Sequence, residues 1–310
     1  MNSTLKAHIY LFAAQVIYAL NYSIAKDLMP HYIAPFALVL LRVSGACILF
    51  WLLSFFMSKE KIETADIKKI ALLALFGVAI NQMFFIKGLS LTTPINSAII
   101  MVSNPIAVMI FTLLVLKEKL TPFKLTGLAL GVFGAIILLL FKAKGAISFG
   151  SETMAGDLLT LVNSLSWAIF VVMARPMMQK YQTVTVMKWL FLFGLIYVFP
   201  FSISELTHTN FNLFSEPINY NLPFYSFTGS VLFSVLFVVI ATTFFAYLLN
   251  TYALKALSSS VVSMYIYFQP FLATIIAVLL GKDEITTIKL VSAIFIITGV
   301  YLVSRKNNLK

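Results

Sequence analysis

Apolar runs of about twenty residues, separated by short charged or Pro/Gly-rich breaks, recur along the whole of this 310-residue chain. An α-helix needs a stretch of about that length to cross the hydrocarbon core of a bilayer. The pattern constrains the fold strongly, because in lipid every backbone amide must find its partner within a helix or a closed barrel. The runs fall at 7–25, 35–57, 70–89, 94–116, 122–141, 156–177, 184–204, 226–249, 257–280 and 285–303. They predict an all-α integral membrane protein of ten transmembrane helices, with the Asn- and Pro-containing segment 205–225 as its one long loop. Composition agrees: 61% of the residues are hydrophobic and 11% charged, against roughly 25% charged in soluble domains. A water-soluble enzyme, a nucleic-acid-binding module and a disordered chain are therefore excluded. The net charge of +11 forms no patch suited to a nucleic acid.

Orientation follows from the basic residues, which are retained on the cytoplasmic side. With the N-terminus inside, fifteen Lys and Arg fall on the cytoplasmic side and six on the other, with Arg42 left within a helix. The expectation is a multi-pass protein of a bacterial-type inner (plasma) membrane with both termini cytoplasmic. The first run, 7–25, is long enough to span and lacks a small-residue cleavage site, so it reads as a helix rather than a signal peptide. The single cysteine, Cys47, excludes an internal disulfide and a multi-cysteine metal site. No cofactor and no metal are expected.

The chain also repeats. With an offset of 165, Asn104-Pro105 falls on Gln269-Pro270, Lys117-Glu118 on Lys282-Asp283, and Gly134 on Gly299. Earlier in each half the offset is 149: Tyr18-Ala19 meets Trp167-Ala168, and Lys26 meets Arg175. The difference is an insertion, mostly the 205–225 loop. Residues 1–145 and 150–310 are thus two related halves of five helices each. Five is odd, so the second half enters the membrane upside down relative to the first. Inverted repeats of this kind place a substrate site near the midplane between the halves.

Three segments carry a family resemblance: LLRVSGACILF (40–50), SNPIAVMIFTLLVLKEKLTPFKLTGLALGVFGAIIL (103–138) and GDLLTLVNSLSWAIFVVMAR (156–175). They resemble the two EamA repeats of the drug/metabolite transporter superfamily, and the likeness covers essentially the whole chain. It implies a ten-helix transporter of small metabolites, often an exporter of amino acids or related compounds. The second half departs from the pattern where Gly127 and Gly131 become Ser292 and Ile296, so its last helix is expected to pack less closely than the fifth.

Candidate site residues are the polar side chains inside the apolar runs. Pro105 and Pro270 each remove a backbone donor and clash with the carbonyl four residues back, those of Met101 and Ile266. They predict kinked helices that line a central site and flex in gating, although a merely tolerated kink fits the same residues. Asn104 and Gln269 add amides at that level. Gln15, Tyr18 and Asn21 come from the first helix, Gln82 from the third and Asn96 from the fourth. Asn163 and Trp167 come from the sixth, Tyr247 from the eighth and Tyr265 from the ninth. Amides and hydroxyls can recognise a small polar substrate without burying a charge, and aromatic rings can stack on it. The same side chains also serve as helix-to-helix hydrogen bonds. Arg42 is either a counter-charge for a substrate carboxylate or a side chain snorkelling to the interface. The three histidines lie near helix ends or in loops and are expected to be solvated.

None of the eleven acids lies at the middle of a predicted helix, so a carboxylate proton relay lacks its usual part. The GxxxG spacing Gly127 to Gly131 permits close helix approach: packing within the chain is favoured, which makes a monomer, while a homodimer contact is the other use. The leading function is a secondary transporter, read as an exporter of small polar metabolites such as amino acids, whose partners are its substrate and the bilayer. A flippase for a lipid-linked or amphipathic substrate is one alternative. An integral-membrane enzyme is another, but no acid, base and nucleophile converge as it would require.

Overall fold

In a computed structural model of the chain, residues 3–117, 121–143, 151–208, 218–222, 225–229, 231–272 and 287–304 are described. Nearly all of them are helical. In chain order the helices are α1 (Ser3–Leu28), α2 (Pro35–Phe55), α3 (Thr64–Leu91), α4 (Pro94–Met101, resuming as Asn104–Leu116) and α5 (Pro122–Ala143). Then follow α6 (Ser151–Lys180), α7 (Thr183–His208), α8 (Val231–Ala256), α9 (Ser259–Met264, continued by a 3-10 turn at Tyr265–Tyr267) and α10 (Thr287–Ser304). Among the described residues, six helices are long and apolar enough to cross a membrane: α2, α3, α4, α6, α7 and α8. The helix α1, 26 residues long, is not among them; Gln15, Tyr18, Asn21 and Tyr22 lower its hydropathy. The cost is local to the face it turns inward.

One part of the expected helix pattern needs correction. Residues 225–229, assigned from the sequence to the loop and the start of the eighth helix, form strand β2 (Tyr225–Gly229), antiparallel to β1 (Ile218–Leu222). The reason is local. Ile-Asn-Tyr-Asn-Leu and Tyr-Ser-Phe-Thr-Gly alternate with a period of two, which suits a strand and not a helix. The 205–225 segment is thus partly an ordered hairpin, and α8 begins only at Val231. Glu118, Lys282 and Asp283 of the repeated Lys-acid motif lie outside the described residues.

Helix starts follow their local chemistry. Pro35 opens α2 and Pro94 opens α4, where a missing N–H is harmless. The Thr93 hydroxyl accepts the Asn96 backbone N–H at 3.1 Å, and the Ser258 hydroxyl accepts that of Val261 at 3.4 Å, as N-caps do. Those caps stand 165 residues apart.

The helices pack in pairs: α3 on α6, α1 on α8, α2 on α7 and α5 on α10. Small residues allow the close ones. A Cβ on Gly88 would lie 3.0 Å from the Gly156 carbonyl oxygen, and one on Gly299 would lie 2.6 Å from that of Gly127. The GxxxG face of α5 is therefore occupied within the same chain, by α10 at Gly127 and by Tyr267 and Met264 of α9 at Gly131. The expected looser fit of α10 does not occur, because Gly299 makes the close approach from its own side and reaches Gly131 as well. Phe50, Phe170 and Phe191 fill the interior, while Leu52, Leu114, Phe201 and Ile294 point outward. Helices apolar on both faces are what a lipid surround requires.

Two end contacts fix helix directions. Lys26, at the end of α1, donates to the carbonyls of Leu89, Ser90 and Thr92 at 2.9, 3.0 and 2.9 Å, so α1 runs parallel to α3. At the other end of α3, buried Asp66 accepts from Lys69 at 2.8 Å, Lys180 at 2.7 Å and the Tyr181 hydroxyl at 2.9 Å. Lys180 ends α6, which is therefore antiparallel to α3.

Candidate functional site

The polar residues that the helices turn inward meet in one cavity. It lies among α1, α2, α3, α4, α6, α8 and α9. Of the residues singled out from sequence, Gln15, Tyr18, Asn21, Arg42 and Gln82 line it, together with Asn163, Trp167, Tyr247 and Gln269. On α1 the spacing of Gln15, Tyr18 and Tyr22 sets all three on one stripe, and all three reach the cavity.

Three candidates stand elsewhere. Asn96 lies in the first turn of α4, above its Thr93 cap. Asn104 donates its Nδ2 to the Ser164 carbonyl at 2.6 Å and so ties α4 to α6. The Tyr265 hydroxyl is 2.7 Å from His8 Nδ1, so His8 belongs to a contact between α1 and α9 and is not simply solvated.

The prolines act differently from the expected kinks. Helix α4 stops at Met101 and resumes at Asn104, leaving Pro105 in the first turn of the second piece. There its missing N–H costs little. In α9 the 3-10 turn Tyr265–Tyr267 intervenes, and Pro270 follows as the third residue of the helix resuming at Phe268. The two breaks touch, because the Tyr267 hydroxyl donates to the Val102 carbonyl at 3.3 Å. Met101 and Ile266, four residues before each proline, both line the cavity. The chain is discontinuous at the cavity wall.

Two further irregularities adjoin it: π-helical turns at Leu75–Ile80 in α3 and Phe237–Phe245 in α8. Widened turns of this sort frequently mark functional sites. The Tyr247 hydroxyl accepts from Gln82 Nε2 at 2.6 Å. It also lies 3.0 Å from the Gly77 carbonyl and 2.9 Å from Asn81 Oδ1, to one of which it donates. Asn163 Nδ2 donates to the Asn81 carbonyl at 2.9 Å. The ring of Tyr247 meets those of Trp167 and Phe191 edge-on at 5.4 and 5.3 Å. A rigid aromatic and amide wall results, drawn from α3, α6, α7 and α8.

Arg42 is only 2% exposed. Its Nε donates to Thr243 Oγ1 at 2.9 Å, and that hydroxyl donates in turn to the Val238 carbonyl at 2.7 Å, inside the π-helical turn. The guanidinium is thus pinned to α8 in the interior and does not reach toward an interface. One of its terminal nitrogens, together with Asn21 Oδ1, Gln82 Oε1, Asn163 Oδ1 and Thr242 Oγ1, is buried without a partner. Unpaired buried polar atoms are costly and scarce in proteins, and five residues bearing them share one cavity. Sequence reasoning missed Thr242, Thr243 and the apolar lining residues Phe85, Met101, Val262 and Ile266. The adjacent threonines within an apolar run were the available signal. Among the described residues no cluster of His, Cys, Asp and Glu could hold a metal ion.

Comparison with known proteins bears on this arrangement. The model of the EamA-like transporter family matches residues 5–140 and again 154–305. The chain belongs to the EamA-like transporter family. Among curated relatives, an uncharacterized transporter of Archaeoglobus fulgidus is 28% identical over 77% of this chain and 76% of its own length. The uncharacterized transporter YyaM of Bacillus subtilis is 24% identical over 79% of this chain and 77% of its own. The WAT1-related protein At4g30420 of Arabidopsis thaliana is 24% identical over 93% and 82%. A solved crystal structure aligns with a TM-score of 0.71 at 17% identity, covering 96% of this chain and 95% of the other; at that identity it speaks for the fold alone. This is a multi-pass membrane transporter of the EamA family.

Proposed function

We propose that this EamA transporter is a secondary carrier that exports small polar metabolites such as amino acids, alternating access around its central cavity. One observation carries the reading: a central cavity is lined from both halves of the chain by polar residues, five of which carry a buried polar atom without a partner. The moving parts are two inverted five-helix repeats, 1–145 and 150–310, which make ten crossings of a plasma membrane with both termini cytoplasmic.

Several contacts support the repeat. Gln82 and Tyr247, and likewise Val102 and Tyr267, are 165 residues apart and hydrogen-bond to each other, as equivalents do beside a two-fold axis. The bond from Asn104 to Ser164 recurs as Gln269 Nε2 to Gln15 Oε1 at 2.8 Å, each pair mapping onto the other through offsets of 165 and 149. The π-helical turns end at equivalent positions, Ile80 and Phe245. Equivalent helices α1 and α6 run in opposite directions along α3, as an inverted repeat demands. Two matches of one family model in the two halves agree.

In this reading the nine cavity-lining candidates contact substrate, and Asn96, Asn104 and Tyr265 position the helices that carry them. The breaks before Pro105 and Pro270 are the flexing points. The protein works as a monomer, since its GxxxG face is already filled by α10 and α9 of the same chain. With no acid among the described residues that line the cavity, transport is downhill or only loosely proton-dependent. The test is efflux from proteoliposomes loaded with labelled amino acids and, separately, nucleosides, measured both into plain buffer and with the same unlabelled compound outside. Saturable amino-acid efflux above protein-free vesicles is expected. Efflux of no member of the panel by folded protein refutes the proposal.

A further inference from the structure

We infer that the cavity receives its substrate as an organic monocarboxylate bound by Arg42, and that the carrier works by exchange, one carboxylate returning for each that leaves. This rests on the transporter reading above and narrows it. Arg42 is buried, its Nε bonds only the neutral Thr243 hydroxyl, a terminal nitrogen bonds nothing, and none of the seventeen lining residues is an acid. A buried cation without a counter-charge is unfavourable inside a membrane. The guanidinium fork matches a carboxylate with two parallel hydrogen bonds. The protein supplies half of an ion pair and leaves the other half to the ligand.

The repeat limits the charge to one. At the 149 offset, Phe191 takes the place of Arg42 and Phe170 that of Asn21; at 165, Phe85 takes the place of Asn250. Gly45 and Gly194 anchor the offset in this helix pair, because each makes room for a valine, Val239 on α8 and Val78 on α3. Both Phe191 and Phe170 are buried. The polar, cationic end therefore has an aromatic counterpart and no second anion subsite. A ligand fitting that polarity has one carboxylate and an apolar or aromatic body against Trp167 and Tyr247.

Exchange follows from the same charge. With a carboxylate that carries no ammonium, such as an N-acylated amino acid, on Arg42 the closed site is neutral, whereas the empty carrier must reorient with a bare cation in its interior. Loaded reorientation is then fast and empty reorientation slow.

The test uses four probes that share one body: N-acetylphenylalanine, free phenylalanine, N-acetylphenylalaninamide and phenylalaninamide. Binding to the purified full chain is read by thermal shift and tryptophan fluorescence. The two carboxylates are expected to bind at least tenfold more tightly than the two amides. Arg42→Gln should abolish that preference and Arg42→Lys should keep part of it. Thr243→Val removes the neutral partner but keeps the charge, so it should remain carboxylate-selective even if less stable. In proteoliposomes, uptake of labelled N-acetylphenylalanine should rise about tenfold when the vesicles are preloaded with the unlabelled compound. Equal binding of carboxylates and amides, an undiminished preference in Arg42→Gln, or no binding of any probe to folded protein overturns the carboxylate site. Uptake indifferent to preloading overturns exchange. Saturable transport of the amide probes with no carboxylate preference would leave the transporter reading standing while this inference falls.

Discussion

Asn104 and Gln269 each precede a proline, 165 residues apart, yet only one of them faces the cavity. Gln269 lines it and donates to Gln15 at 2.8 Å; Asn104 is fully buried and spends its Nδ2 on the Ser164 carbonyl. The same Leu substitution should therefore read out differently at the two sites. Gln269→Leu strips a polar group from the cavity wall, and substrate affinity should fall about three- to thirty-fold, in line with about 0.6–2 kcal/mol for a membrane hydrogen bond. Asn104→Leu should instead lower thermal stability while leaving affinity per folded molecule unchanged. Binding measured after normalising to folded protein checks both, and an affinity loss in Asn104→Leu equal to that in Gln269→Leu would contradict the assignment. At this scale the sequence was informative about residue type but not about direction. An amide before a proline in an apolar run is equally able to face a neighbouring helix or the cavity, and only packing decides. Arg42 was legible as an anomaly because charge is expensive in lipid. Its partner Thr243 was not, since a hydroxyl in an apolar run can bond its own helix, as Thr243 also does to Val238.

At the scale of elements, the proline in α4 permits the helix to stop outright, and the turn at Val102 and Ser103 separates two helical pieces. Sequence marks the missing donor at Pro105 but not whether the chain heals around it, so a kink was expected where a break occurs. The π-helical turns were illegible for a similar reason: Leu75–Ile80 reads Leu-Phe-Gly-Val-Ala-Ile, an ordinary helical run. Pro105→Ala restores an N–H and removes the ring clash, and Ala favours helix. The two pieces of α4 should then tend to join. The expected outcome is slower transport per folded molecule with near-normal thermal stability; an unchanged rate would make the break plain architecture. The α5–α10 contact gives the opposite signature. A Cβ at Gly299 would lie 2.6 Å from the Gly127 carbonyl oxygen and 2.8 Å from the Gly131 nitrogen, both backbone atoms that cannot rotate away. Gly299→Ala should therefore destabilise by about 1–3 kcal/mol, as overpacking does, lowering the melting temperature in detergent. Unchanged melting would show that the two helices do not meet there.

For the whole molecule, two sets of contacts sort the loops onto faces. The Gln182 backbone N–H donates to Glu60 Oε2 at 2.9 Å, so the loops before α3 and before α7 share one face. The Phe36 backbone N–H donates to Glu205 Oε2 at 2.7 Å, so the start of α2 and the end of α7 share a face as well. These are opposite faces. The 26 residues of α7, at 1.5 Å each, extend about 39 Å and exceed a hydrocarbon core of about 30 Å. In the proposed orientation, the fifteen-to-six division of Lys and Arg puts the face that carries Lys59 and Gln182 in the cytoplasm. A fluorescent-protein reporter fused after Lys59 or after Gln182 should therefore glow, and a phosphatase reporter fused after Tyr32 or at Asn212 should be active outside the cytoplasm. The four positions separate two failures. If all four reverse together, the inverted repeats stand and only the charge-based orientation falls. If Lys59 and Gln182 report opposite sides, the second half does not enter the membrane inverted relative to the first. The cavity between the halves would then lose the symmetry on which alternating access depends.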